Sequence, residues 1–314
     1  MLEKTKAVIV GHAVADALGV PIEFCRREEL AANPINDMEG FGTYPFPKGC
    51  WSDDTSMSLC ILESVAKNKI DYEDIMNNFG KWYYKDEFTP TGEMFDVGNA
   101  CSTAIEKYFK NKLPLNQCGL KDEYSNGNGS LMRIHPMTLY LYTRDDLTLE
   151  EKIEVIHKTS ALTHAHERSK IGCGIYSFVL WELLKEPDKI NVFEGLKKAM
   201  QFYSDCPEFK KYSRIFEKPF VLLKQKDIYS TGYIVYTLEA ALWCLLTTTS
   251  YEECVLKAVN LGDDTDTVGA VAGGLAGALY GYDSIPTKWL EILKRKDYIE
   301  DMCGRAADSW RIKR

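Results

Sequence analysis

The sequence predicts an all-α fold, and three observations carry that expectation. Apolar residues recur at three- and four-residue spacings along most of the chain, alternating strand patterns are scarce, and no strand–glycine–helix unit announces a parallel sheet. In chain order the periodic segments are 57–68 (MSLCILESVAKN), 152–163 (KIEVIHKTSALT) and 170–185 (KIGCGIYSFVLWELLK), then 234–249 (IVYTLEAALWCLLTTT) and 251–260 (YEECVLKAVN). Stretches 33–50 and 111–130, with their glycines and prolines, read as loops, because apolar helices resume on either side. No repeat of fixed period and no low-complexity tract is present. A length of 314 residues allows one large domain or two. A single all-α domain over 1–314 is the simplest account.

Bulk composition narrows the class. With 45% hydrophobic and 27% charged residues the chain can bury a core. Its net charge of −8 argues against a protein whose main task is gripping nucleic-acid backbone, although a local basic pocket stays open. Ten cysteines are scattered without a C-x-x-C pair, and Cys60, Cys173 and Cys244 fall inside apolar helical patterns. Small buried hydrophobes in a reducing cytoplasm look like this. Lysines precede an apolar N-terminal stretch, as in a signal peptide, but His12 and Asp16 interrupt it. Elsewhere the longest apolar run, 268–282, falls short of the roughly 20 residues of a membrane helix. A cytoplasmic protein with no membrane partner is expected.

The stretch 261–281, LGDDTDTVGAVAGGLAGALYG, sets Gly269, Gly273, Gly277 and Gly281 four residues apart, on one helical face. Each glycine inside a helix costs about 0.8–1 kcal/mol relative to alanine, so the stripe makes sense where another backbone approaches closely. Asp263, Asp264 and Asp266 lead into this helix. Aspartate at a helix start is ordinarily a cap, favoured by the helix dipole. Capping uses one such side chain or two, and three carboxylates in four residues repel one another. A second cluster, Ser52, Asp53, Asp54 and Thr55, opens another amphipathic helix. Carboxylate and hydroxyl oxygens together are the ligand set of a hard cation such as Mg²⁺ or Mn²⁺ rather than zinc. Five aspartates around one point need more than one divalent ion, and two ions about 4 Å apart suit vicinal oxygens and an activated water.

Other segments carry weaker signals. Glu23 follows the helix bearing His12 and Asp16 and has apolar neighbours, Ile22 and Phe24, which favour an inward side chain over the usual surface glutamate. SNGNGSLMR (125–133) places glycines and asparagines before a helix start, where amide N–H groups cradle phosphate, although most such runs are turns. THAHERSK (163–170) holds two histidines at i, i+2, a spacing that does not put both on one helical face. FDVGNA (95–100) opens a helix with Asp96 in a cap position, and STGYIV (230–235) puts Tyr233 near a helix start, able to stack on a base.

Taken together these segments resemble the ADP-ribosylglycohydrolase family, the hydrolases related to dinitrogenase-reductase-activating glycohydrolase. The resemblance runs in the family's order from GHAVADALGVPIEF through WSDDTSMSL, FDVGNACSTAI, NGNGSLMRIHPM, THAHERSKIG and STGYIVYTLEAALWCLL to NLGDDTDTVGAVAGGLAGALYG, about residues 5–285. It implies a single all-α domain with a dinuclear Mg²⁺ or Mn²⁺ centre in a cleft. By resemblance Ser52, Asp53 and Asp54 supply ligands from the first motif, and Asp264, Asp266 and Thr267 from the last. Glu23 matches a glutamate on a mobile loop that reaches the metals. Gly127, Asn128, Gly129 and Ser130 match the segment receiving the ADP-ribose diphosphate, while His164 and Tyr233 match positions lining the nucleotide cleft. Asp96 matches an aspartate near the departing guanidinium in arginine-specific members. Two departures stand out: Ser52 where threonine is usual, which keeps the hydroxyl, and Asp263 where the motif G-G-D-T-D-T has its second glycine.

The implied reaction is hydrolysis at the anomeric C1″ of the distal ribose, releasing ADP-ribose from a modified protein. Asp53 or Asp54 is the expected base, with Glu23 as the alternative, and Asp96 tilts the linkage toward ADP-ribosyl-arginine. Serine-linked, O-acetyl- or poly(ADP-ribose) hydrolysis is the first alternative. A dimetal nucleotide phosphohydrolase and a catalytically inactive ADP-ribose-binding homologue follow.

Overall fold

The computed structural model describes residues 1–217 and 220–311. Its α-helices are α1 Leu2–Gly19, α2 Arg27–Ala32, α3 Asp53–Val65, α4 Tyr72–Lys85, α5 Asn99–Phe109, α6 His135–Tyr142 and α7 Leu149–Ala161. There follow α8 Glu167–Lys185, α9 Lys189–Tyr203, α10 Ile234–Leu246, α11 Tyr251–Val259, α12 Thr265–Tyr280, α13 Thr287–Ile292 and α14 Lys296–Trp310. Among the described residues there is no strand, only isolated bridges joining Leu120 to His164 and Gly127 to Tyr233. Each periodic segment of the sequence falls on one of these helices, and all but 170–185 overrun its end by one to three residues.

The centre is the antiparallel pair α1 and α12, which the glycine stripe makes possible. A Cβ on Gly11 would lie 2.8 Å from the Gly273 carbonyl oxygen, and one on Gly269 would lie 3.0 Å from that of Ala15. Gly277 faces Ala7 in the same way. Such backbone proximity leaves no room for a side chain. Gly281 does not extend the stripe: it ends α12 at φ +84°, a conformation only glycine adopts freely, and faces open space. The segment Leu2–Ile22 is apolar and long enough to cross a membrane, yet 94% of its most apolar 18-residue window is buried inside the protein.

Antiparallel pairing has a consequence for chemistry. It brings the C-terminal end of α1, with Asp16, Gly19 and then Glu23, against the start of α12, where a Cβ on Gly19 would collide with the Asp266 backbone. Helix α3 starts at the same place. C-terminal elements brace it: Trp310 Nε1 donates to the Val65 carbonyl at 2.9 Å, and Trp51 Nε1 to that of Lys294 at 3.0 Å. One hydrophobic core runs from Val8 to Trp310.

Candidate active site

At the start of α3 the capping groups are not the aspartates of the motif. Asp16, reaching across from α1, accepts from Ser52 N (2.9 Å) and Ser52 Oγ (2.9 Å), and from Thr55 N (3.0 Å) and Thr55 Oγ1 (2.6 Å). Ser52 Oγ adds a long bond from Asp54 N at 3.4 Å. The orphan N–H groups of the first turn are thereby satisfied by Asp16 and Ser52. The side chains of Asp53 and Asp54 take no part in the capping, though both are buried.

Capping fails at α12 as well. Asp264 is the N-cap residue, but its side chain makes no capping bond. Its Oδ2 accepts instead from Asn128 Nδ2 at 2.7 Å. Asp266 Oδ1 accepts from the N–H of Thr267, and Thr267 Oγ1 reaches Asp54 Oδ2 at 3.2 Å, joining the two motifs. Asp263 takes the left-handed φ of +59° that a glycine would, a conformation aspartate tolerates better than most residues. Its N–H and C=O clasp the Glu23 segment, bonding Cys25 O at 2.9 Å and Phe24 N at 2.7 Å, while the side chain is exposed. The departure from the family motif thus preserves the backbone and adds no carboxylate to the cluster.

Glu23 points inward, 6% exposed, as its sequence context suggested; its neighbour Phe24 does not, at 67% exposed. One carboxylate oxygen each from Glu23, Asp264 and Asp266 fall within 4.8 Å of one another. Tyr44 Oη, from the loop 33–50, donates to Glu23 Oε2 at 2.7 Å. Asp96 does not cap α5, whose N-cap residue is Gly98; it adopts φ +50° and lines the same cleft as Glu23 and Asp53.

Burial and repulsion between neighbouring carboxylates raise the pKa values of Glu23, Asp53, Asp54, Asp96 and Asp266. Burial, then Asp96, pushes Glu23 up to about 9, against the opposing bond from Tyr44. Asp53, Asp54 and Asp266 are each raised well above the ordinary carboxylate range, first by burial and then by the neighbouring carboxylates. Asp96 rises to about 6 through burial and Asp264, against hydrogen bonding with Tyr44 and Glu23. Asp54 Oδ1 and Asp266 Oδ2 are buried without any hydrogen-bond partner. A hard cation answers both observations: it supplies the missing charge and occupies the orphaned oxygens, and the donors are all oxygen. The residues present fit divalent ions.

The opposite wall is neutral. A cleft of about 460 Å³ runs from Glu23, Asp53 and Asp96 to Gly127, Asn128 and His164, with a neighbouring cavity of about 420 Å³ beside Arg168 and Tyr233. A larger cavity of about 610 Å³, between Tyr142 and Trp181, is lined by none of the site residues. Asn128 N bonds Gly232 O at 2.9 Å, so the loop leans on the segment that starts α10. Residues 129–133 form turns, and helix α6 begins only at His135, so this loop is not a helix N-terminus. Ser130 faces away from the cleft: fully buried, it bonds Ser160 Oγ at 2.9 Å. Gly129 is required because a Cβ there would lie 2.9 Å from His164 Cε1 and 3.0 Å from Cys101 Sγ. The two histidines of THAHERSK diverge, with His164 buried in the cleft wall and His166 capping α8. Tyr233 stands at the start of α10 with the Arg168 guanidinium 5.8 Å from its ring centre; Arg168 is held by Glu208 at 2.8 Å.

Sequence reasoning missed several residues. Asp16 read as a charge interrupting an apolar helix, and Tyr44 as part of a loop. Its one visible sign was placement: an acid on the buried face of α1, which demands a partner. Arg133 and Thr163 lay inside quoted segments but gave no separate signal.

A helical protein that gathers buried carboxylates at one end of a nucleotide-sized cleft, and neutral polar groups at the other, has the makings of an acid–base hydrolase. Comparison makes the class definite: the ADP-ribosylglycohydrolase family profile matches residues 1–313, and the chain belongs to that family. It is 32% identical to the ADP-ribosylarginine hydrolase Tri1 of Serratia proteamaculans, over 96% of this chain and 78% of that protein. It is 29% identical to the ADP-ribosyl-[dinitrogen reductase] glycohydrolase of Rhodospirillum rubrum, over 94% of this chain and 91% of that one. A solved structure, an ADP-ribosylglycohydrolase-related protein complex, superposes with a TM-score of 0.82 at 29% identity, covering 98% of both chains. The protein is an enzyme that hydrolyses glycosidic bonds of ADP-ribose.

Proposed function

We propose that this enzyme removes ADP-ribose from arginine side chains of modified proteins, using two Mg²⁺ or Mn²⁺ ions. The observation that carries the reading is the set of buried carboxylates with orphaned oxygens at Asp54 and Asp266, beneath a cleft of nucleotide size lined by Glu23, Asp53, Asp96 and Asp264. Ser52, Asp53, Asp54, Asp264, Asp266 and Thr267 would hold the ions, with Glu23 joining them from the end of α1. When bound, the ions orient the vicinal hydroxyls of the distal ribose and lower the cost of deprotonating a water. Asp53, which lines the cleft, or Asp54 beneath it takes that proton, with Glu23 as the alternative base. The water oxygen bonds to C1″ as the bond from C1″ to nitrogen breaks, and nearby carboxylates stabilise the oxocarbenium-like charge. A positively charged guanidinium departs as a neutral guanidine, and Asp96 orients it. Gly127, Asn128 and Gly129 receive the diphosphate, while Ser130 braces their loop from behind. His164 and Tyr233 line the nucleotide end. Support for the arginine linkage comes from Asp96 in the cleft and from the Serratia relative, whose name specifies ADP-ribosylarginine.

The test is an assay on defined arginine- and serine-linked ADP-ribosyl peptides with Mg²⁺ or Mn²⁺, and with chelator. Intact ADP-ribose should be released from the arginine peptide, and chelation should abolish the release. Preferential serine cleavage, or arginine cleavage untouched by Asp96→Ala, overturns the linkage. Release of pyrophosphate or AMP from nucleotides would mark a phosphohydrolase. Metal-dependent ADP-ribose binding without turnover would mark a binding protein.

A further inference from the structure

Behind the glycine loop stands a fully buried arginine that makes no ion pair among the described residues. The Arg133 guanidinium stacks on Phe79 with 4.6 Å to the ring centre, donates from Nη2 to Thr163 Oγ1 at 2.6 Å, and reaches Thr159 O at 3.5 Å. Thr163 Oγ1 is in turn 2.8 Å from His164 Nδ1. The direction of that second bond follows from proton counting. Guanidinium has donors only, so Thr163 Oγ1 accepts from it and keeps its own proton to give. His164 Nδ1 is the strong acceptor within reach; the competing acceptor, the Cys101 sulfur, is weak. An Nδ1 that accepts leaves the ring proton of a neutral imidazole on Nε2.

We propose that Arg133 and Thr163 are positioning residues that lock His164 as its Nε2–H tautomer, presenting a neutral donor to the diphosphate of ADP-ribose. Nε2 faces the cleft, 3.6 Å and 3.4 Å from where Cβ atoms on Gly127 and Gly129 would lie. Burial, with Arg133 adding repulsion, lowers the His164 pKa to about 3, so the ring stays neutral through the working range. The opposite tautomer would aim a lone pair at the phosphate oxygens, which also carry only lone pairs. The ligand half of this inference rests on the functional reading above; the tautomer does not.

With five histidines in the chain, long-range ¹H–¹⁵N correlation on ¹⁵N-histidine-labelled protein resolves the ring nitrogens, and His164→Gln assigns the signal. The expected pattern for His164 is a protonated Nε2 and a bare Nδ1 at neutral pH, without ligand. A protonated Nδ1 in the unmodified protein overturns the proposal, whatever any variant does. Thr163→Val should release the tautomer and weaken ADP-ribose binding by about tenfold, while calorimetric divalent-ion binding is unchanged. Thr163→Ser should restore both the tautomer and the affinity. Unaltered ADP-ribose affinity in Thr163→Val refutes the role in binding. If the unmodified protein with Mg²⁺ or Mn²⁺ does not bind ADP-ribose at all, the functional reading fails and takes the ligand assignment with it.

Discussion

The two walls of the cleft differ in how far the polypeptide alone completes them. On the acidic wall burial, and then neighbouring carboxylates among which Asp96 recurs each time, raise the pKa values of Glu23, Asp53, Asp54 and Asp266, and buried oxygens of Asp54 and Asp266 have no partner. On the opposite wall the groups are engaged before any ligand arrives. Asn128 Nδ2 lies 2.9 Å from Thr237 Oγ1 and 2.7 Å from Asp264 Oδ2, and His164 Nδ1 is bonded to Thr163. One wall is preorganised and the other waits for positive charge. Two buried carboxylate oxygens without a partner thus lie where cations are expected, as unsatisfied groups do at sites tuned for function.

The sharpest way to break this comparison is Asp54→Asn. Turnover should fall by roughly 10²–10⁴-fold. The metal-free protein should nevertheless melt higher near neutral pH, by about 2 °C or more, because asparagine removes the cost of holding a buried acid protonated where the unfolded chain has already ionised it. Calorimetry in chelator reads this, and a lowered Tm would mean that the empty acidic wall is not strained. Asp16→Ala tests the support behind that wall. It strips four donors of their acceptor, at a cost of about 1–3 kcal/mol in folding stability. Divalent-ion affinity by titration should drop by about 10–100-fold. Unchanged ion affinity would show that the first motif holds its geometry without α1.

Gly129→Ala addresses the other wall. Its Cβ would press on His164 and Cys101, so ADP-ribose binding should weaken by about tenfold while ion binding stays the same. Loss of both together would show that the walls are not independent. The smallest effect is a pH dependence. Glu23, raised from 4.5 to about 9 in the folded state, holds a proton there that the unfolded chain has already lost. Folding stability of the metal-free protein is therefore greatest below the lower value and declines as pH rises between the two. Saturating Mg²⁺ or Mn²⁺, which competes with protons for the same oxygens, should flatten or reverse that slope. Thermal melts across the window, with and without ion, decide it.

Much of this was legible in the residues. Three- and four-residue apolar spacing located α3, α7, α8, α10 and α11 but not α4, α9 or α14, and the glycine stripe foretold a close helix partner, though Gly281 belongs to the helix end. The paired acid–hydroxyl motifs named most of the carboxylates that the structure gathers. Less was legible where a side chain's task lies in another segment. Asp16 looks like a flaw in α1 until Ser52 and Thr55 are set beside it. Asp96 looked locally like a cap but lines the cleft, where the family resemblance had put it, while Ser130 looked like a cleft residue and faces away from it.

By itself, then, the sequence determined what depends on neighbours along the chain: helical periodicity, helix-start chemistry, and the supply of oxygen ligands at Ser52–Asp54 and Asp264–Thr267. Only the tertiary structure decided which carboxylates meet, which are capped and which are left bare. The bond between Thr267 Oγ1 and Asp54 Oδ2 spans 213 positions of sequence. The charge state of a buried acid is set by its distance from other charges and from water, and periodicity carries no information about either.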